Sequence, residues 1–154
     1  MEVVGSVIGL LQLIGLTQAG SVSLYKLIES FRFHPKVVRD LTEELEALSS
    51  VLSALRETVN ATSGIDLSSL EVPLRCCSKT CKEFEQELLK CSSRSGQDRT
   101  TFRDWAKFRY MGKDIDSFRR MLAGYKLTIN IALTDANLYA STLFSIHIKA
   151  NTST

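Results

Sequence analysis

The side chains in this 154-residue sequence best suited to hold a metal or attack a substrate are four cysteines and two histidines. Cys76, Cys77, Cys81 and Cys91 lie within one stretch but contain no C-x-x-C pair, and successive positions along a helix suit tetrahedral ligation poorly. Cys77, Cys81 and Cys91 recur with leucines and a phenylalanine at helical spacing, the pattern of buried thiols in an intracellular protein. Cys76 falls off that row and is expected to be the exposed thiol. His34 and His147 each lack a nearby cysteine or second histidine. No glycine-rich phosphate loop, nucleophile elbow or carboxylate pair is present. The expectation is a protein that is not an enzyme and takes no cofactor and no metal. A net charge of +2, from 19 basic and 17 acidic residues, leaves no electrostatic footprint for nucleic acid.

What remains is the chemistry of association, and the first stretch is where it concentrates. Val3 to Tyr25 runs without an ionisable side chain, the length of a membrane span. Ser6, Gln12, Thr17, Gln18, Ser21 and Ser23 interrupt it, and Gly5, Gly9, Gly15 and Gly20 thin it. A leucine-type residue contributes only about −0.3 to −0.6 kcal/mol to insertion, so these interruptions leave the segment marginal for a lone span. Only Met1 and Glu2 precede it, so the positive n-region of a secretory signal is missing. Wound as a helix, it places Val3, Val7, Leu10, Leu11 and Ile14 on one wide face flanked by Val4 and Ile8. Glu2, Gly5, Gly9, Gln12, Ala19 and Ser23 form a narrow opposite stripe broken by Leu16. The helix is expected to pack in a bundle at rest. Gly5-x-x-x-Gly9 suits close helix approach, either in lipid or in that bundle.

The rest of the chain must position this helix. Phe33-His34-Pro35 breaks the first helix, and Pro35 suits the start of a second. There Val38, Leu41, Leu45, Leu48, Leu52, Leu55 and Val59 alternate steps of three and four, a heptad seam. Glu43, Glu44, Glu46, Arg56 and Glu57 fall off it and are expected in solvent, and Ser63-Gly64 is a stop. Asp66 can cap a short turn before a third helix opened by Pro73, with a seam through Leu67, Leu70, Leu74, Cys77, Cys81, Phe84, Leu88 and Cys91. Ser92 to Gln97 reads as a loop. Thr101 and Asp104 resemble a capping box for a short helix with Phe102, Trp105 and Phe108. A last helix keeps one seam through Ile115, Phe118, Leu122, Tyr125, Ile129, Ala132, Ala136, Tyr139, Leu143 and Ile146. The prediction is an all-α fold: a four-helix bundle with one additional short helix, in a single domain over 1–148, with a frayed tail over 149–154.

Basic groups crowd the short helix: Arg94, Arg99, Arg103, Lys107, Arg109 and Lys113, with Arg119 and Arg120 beyond. Interleaved with Trp105 and its aromatic neighbours, they read either as a patch for anionic lipid headgroups, centred on Arg103, Trp105, Lys107, Arg109 and Lys113, or as an ordinary solvated surface with the aromatics turned inward.

Ser6-Val7-Ile8-Gly9-Leu10-Leu11-Gln12, Leu24-Tyr25-Lys26, Leu41-Thr42-Glu43-Glu44-Leu45, Pro73-Leu74 with the cysteine-bearing helix, and Trp105 to Leu133 together resemble the HeLo-like N-terminal domains of fungal NLR-type (STAND) receptors. The likeness covers essentially the whole chain through loose hydrophobic patterns. It implies a cell-death effector domain that is cytoplasmic at rest and acts at the plasma membrane, permeabilising it through the N-terminal helix once the protein homo-oligomerises. The membrane-inserting positions it implies are Val3, Val4, Val7, Ile8, Leu10, Leu11, Leu13, Ile14 and Leu16, with Gly5, Gly9 and Gln12 facing neighbouring helices or a wet pore. It also implies an NLR-type receptor partner or a downstream fused domain. The alternatives are a homotypic adaptor module that never touches lipid, and a regulator of larger receptors sharing the domain.

Overall fold

A computed structural model of the chain describes residues 2–30, 36–62, 64–94 and 111–153, with side chains over 7–30, 36–62, 64–90 and 115–153. Four long helices are present: α1 (Glu2–Glu29), α2 (Lys36–Ala61), α3 (Glu71–Arg94) and α4 (Met111–Thr152), with a 3-10 turn at Ser68–Leu70 leading into α3. Among the described residues there is no strand. The additional short helix expected around Thr101 to Phe108, and the corner at Phe33-His34-Pro35, lie outside the described residues.

The heptad seam of α2 forms as its spacing dictates. Val38, Leu41, Leu45, Leu48, Leu52 and Leu55 are all buried, and Val59 packs at the edge of the core. Each such leucine stabilises the fold by about 1.5–3 kcal/mol. The helix stops at Ala61, and Gly64 follows with φ of 85°, a left-handed conformation that costs a side-chain-bearing residue roughly 1–2 kcal/mol. Asp66 Oδ1 then accepts the Ser68 N–H at 3.0 Å at the start of the 3-10 turn, and hydrogen bonding from the Ser68 side chain first, with this N–H, holds the Asp66 carboxyl below its ordinary range. Pro73 sits in the first turn of α3, where its missing N–H costs no helical hydrogen bond. Leu67, Leu70, Leu74, Cys77, Cys81, Phe84 and Leu88 are buried as their rhythm requires.

Pairings between helices fix their directions. Against α2, α1 is antiparallel: Tyr25 meets Glu46, Gln18 meets Ser53, and Gly15 lies beside Arg56. Against α3 it is parallel, through Thr17 with Leu74, Gly20 with Cys81 and Ser23 with Glu85. In turn α4 runs parallel to α2, with Arg119 on Asp40 and Lys126 on Glu44, and Phe118 stacks on Phe84 of α3 at 4.2 Å between centroids. The order around the bundle is therefore α1, α2, α4, α3. Helices α1 and α4 sit on opposite corners, without direct contact among the described residues. The N-terminus of α1 and the C-terminal end of α4 point from the same end of the bundle.

The structure differs from the sequence reading at three places. Glu44 and Arg56 are half-buried rather than solvated, because Glu44 accepts a hydrogen bond from Lys126 Nζ at 2.9 Å and Arg56 lies over the gap left by Gly15. The seam of α4 is buried only as far as Ala136; Tyr139, Leu143 and Ile146 are exposed, since α2 and α3 end before reaching them. The expected tail does not fray at 149, for α4 continues to Thr152. There, Thr152 and Ser153 hydroxyls donate to the Ile148 and Lys149 carbonyls, and Lys149 sits favourably in the last turn.

Candidate functional site

Helix α1 is the most apolar of the described helices, and three of its large aliphatics, Val7, Ile8 and Leu16, are exposed. Val7–Glu29 is long and apolar enough to cross a membrane by length and composition, with mean hydropathy 1.5, and only 22% of its apolar window is buried in the bundle. At 1.5 Å per residue that stretch spans about 34 Å, against roughly 30 Å of bilayer hydrocarbon. A core helix of a globular bundle is normally covered on its apolar side.

Burial along α1 is graded. From Val7 to Leu13 no side chain is fully buried; Leu10, Leu11 and Leu13 are half-covered, and Val7 and Ile8 are exposed. From Ile14 onward a continuous inner row appears: Ile14, Thr17, Ser21, Leu24 and Ile28. The wide face expected from Val7, Leu10, Leu11 and Ile14 is thus only partly turned inward. Leu16 is 53% exposed, while its neighbour Thr17 is wholly buried. Along the inner row α1 packs on α3, where Thr17 bonds the Leu74 carbonyl and a β-carbon on Gly20 would stand in ordinary contact, 4.0 Å from the Cys81 β-carbon. The opposite, narrow stripe is turned away from the core: Gln12, Leu16, Ala19 and Ser23 are exposed.

The buried polar groups are satisfied in two different ways. Thr17 Oγ1 reaches the Leu13 carbonyl at 2.7 Å within its own helix and the Leu74 carbonyl of α3 at 3.1 Å, and Ser21 donates to the Gln18 carbonyl at 2.9 Å. Bonds to its own helix travel with α1 wherever it goes. Gln18 is different: its amide donates to Ser53 Oγ at 2.7 Å and more weakly to the Ser49 carbonyl at 3.4 Å, both on α2. Farther along, Ser23 donates to Glu85, and Tyr25 to Glu46, a bond that raises the Tyr25 hydroxyl above its ordinary pKa. All side-chain hydrogen bonds tying α1 to the bundle fall between Thr17 and Tyr25 among the described residues.

Gly9 and Gln12 face outward. A β-carbon on Gly9 would meet no atom within 4 Å, so Gly9 serves no close packing in the resting bundle, and Gln12 is exposed. The side chains at Val3, Val4 and Gly5 lie outside the described residues, as do Arg103, Trp105, Lys107 and Arg109 and the Lys113 side chain. Of the basic groups beyond them, Arg119 is engaged with Asp40 at 3.1 Å, and Arg120 is exposed.

The thiols at 76, 77 and 81 follow the expected pattern, and the Cys91 side chain lies outside the described residues. Cys77 and Cys81 are buried and Cys76 is exposed. Hydrogen bonding to Cys81 and burial push the Cys77 thiol far above the ordinary range, which removes the thiolate needed for attack or ligation. Among the described residues no three His, Cys, Asp or Glu side chains converge as metal ligands.

Sequence reasoning missed the Gln18–Ser53 bond and the inward turn of Thr17 and Ser21. The available signal was the alternating three- and four-residue step of Ile14, Thr17, Ser21, Leu24 and Ile28, hidden because two of its members are polar. Compared with known proteins, residues 1–150 match the family described as pigment biosynthesis cluster protein PigL, N-terminal. No curated protein and no solved structure matches the chain.

Proposed function

The chain belongs to the PigL N-terminal family, a family of HeLo-like domains, and from that premise we propose that it is a cell-death effector domain of the kind found at the N-terminus of fungal NLR-type receptors. In this reading it rests in the cytoplasm, oligomerises when triggered by a receptor partner or fused domain, and permeabilises the plasma membrane through α1. The observation that carries the reading is the incomplete cover of α1: from Val7 to Leu13 its apolar side chains are exposed or half-exposed, and none of its side chains there bonds another helix among the described residues.

Two homes compete for this helix. Burying the aliphatics between Val7 and Leu16 is worth more than about 10 kcal/mol gross in lipid. The bundle already supplies part of that through Ile14, Leu10 and Leu13, so the choice rests on a small difference. Oligomerisation tips it by giving Gln12 and Gln18 partners on neighbouring helices, which a lone helix in hydrocarbon lacks. Gly9, open on the resting surface, permits neighbouring helices to approach closely.

The test is dye release from vesicles by protein that is oligomerised on command. Leu10→Glu and Leu11→Glu are expected to reduce release at least tenfold without unfolding the bundle, since neither residue is fully buried. Undiminished release would remove α1 from the mechanism. A second reading, a homotypic interaction module without membrane activity, draws on Leu127 and Ile131, exposed one turn apart on the outer face of α4. A stable dimer that ignores vesicles is its signature.

A further inference from the structure

The C-terminal part of α4 carries apolar side chains that its own bundle does not use. Beyond Ala136, Leu138, Tyr139, Leu143, Phe144, Ile146 and Ile148 are all exposed, Phe144 to 66% and Leu138 to 62%. At about 100° per residue they do not form one stripe. Tyr139, Leu143 and Ile146 prolong the core seam, Leu138 stands roughly a quarter turn or more to one side, and Phe144 and Ile148 lie towards the opposite side. A docking helix from a second copy would cover one of these sectors and leave the others in water. Apolar side chains spread over several sectors, with Asn137, Ser141, Thr142, Ser145 and His147 between them, are covered more fully by a deformable, partly polar medium than by one partner helix.

The charge pattern identifies that medium. No Asp, Glu, Lys or Arg occurs between Asp135 and Lys149. The uncharged run is about 20 Å long at 1.5 Å per residue, too short for the roughly 30 Å of hydrocarbon in a bilayer. It suits a helix lying in the boundary between headgroups and acyl chains, with Asp135 and Lys149 kept at headgroup level and Tyr139 in the interfacial zone that aromatics favour. This overhang and the exposed start of α1 leave the bundle at the same end, so one bilayer can meet both.

We propose that the α4 overhang, residues 138–148, is a second membrane-contacting element that lies in the bilayer interface beside the inserting α1. The inference rests on the membrane reading of α1 only for the identity of the medium. Because the overhang is nearly uncharged, its binding is expected on neutral as well as anionic lipid, and to survive high salt.

The experiment mixes the whole chain with phosphatidylcholine vesicles, with and without anionic lipid, and measures binding by flotation and amide exchange over residues 138–150. Leu143→Glu with Phe144→Glu is expected to reduce binding to neutral vesicles at least tenfold while helicity and the urea midpoint stay unchanged, both side chains being exposed. Binding and exchange protection equal to the parent's would overturn the proposal while leaving the role of α1 intact. Lost binding in this variant together with undiminished leakage by Leu10→Glu would sustain it and remove α1 instead. Protection of 138–150 without vesicles, in a dimer that the double variant dissolves, would assign the overhang to a second copy and overturn the proposal. So would the absence of vesicle binding by the parent chain under every lipid and salt condition.

Discussion

Gln18 is the residue on which the resting state turns. Its amide is held by Ser53 and Ser49 of α2, whereas Thr17 and Ser21 carry hydrogen bonds to carbonyls of their own helix. Release of α1 therefore breaks the Gln18 pair outright, and insertion then takes an unpartnered amide into hydrocarbon. Both steps favour the bundle. Replacing Gln18 by leucine removes a hydrogen bond worth about 0.5–1.5 kcal/mol from the bundle and lightens the cost of entering lipid. Gln18→Leu is expected to lower the protein concentration at which vesicles leak severalfold, with a slightly lower urea midpoint. Leakage that stays the same or falls would show that Gln18 is no latch.

At the scale of the element, α1 is one helix with two mechanical halves. Its tethers begin at Thr17, and the seven residues from Val7 to Leu13 contribute no fully buried side chain. Local opening is governed by how many buried contacts must break, so the first half opens at a smaller free energy than the second. Amides of Val7 to Leu13 are expected to exchange at least tenfold faster than those of Thr17 to Ile28. Equal protection of both halves, lost together only on global unfolding, would mean that the helix does not peel. The contrast with α2 is instructive: α2 exposes a polar face and buries every leucine of its seam, so its helix has one stable home. In α1 apolar residues lie on nearly all sides, and no bundle of this size can cover them all.

For the molecule as a whole, α2 is the shared wall, joined to α4 by Arg119 with Asp40 and Lys126 with Glu44. Asp40 also accepts from Lys36 at 2.9 Å; that bond first, and the nearby Arg119 with it, holds the Asp40 carboxyl below its ordinary range, as the Ser68 contacts do for Asp66. A carboxyl whose folded pKa is depressed adds stability above its unfolded value, near 3.9, and that contribution is lost as pH falls through the folded value. The urea midpoint is therefore expected to decline as pH drops below about 4, and to decline less steeply in Asp40→Asn with Asp66→Asn. An identical acid slope in that variant would place the acid sensitivity elsewhere. The effect is modest, since these carboxyls sit at the surface.

The spacing of apolar residues was enough to place α2 and the buried row of α3 including Cys77 and Cys81, and local turn chemistry placed the turn at Asp66 and the stop at Gly64. Each of these depends on neighbours in sequence and on a two-sided choice between core and water. The orientation of α1 was not legible in the same way, because a helix apolar on most sides has no preferred inward face until a neighbour supplies one. In the assembled bundle the inward row is Ile14, Thr17, Ser21, Leu24 and Ile28, two of them polar. How far the seam of α4 stays buried was likewise decided by the ends of α2 and α3, since periodicity records which side a residue occupies and not whether anything lies opposite it. Composition and periodicity determined that this protein is a helical bundle with an uncommonly apolar first helix. Only the assembled bundle decided which of those apolar groups are left uncovered, because cover is a property of lengths and directions shared among helices.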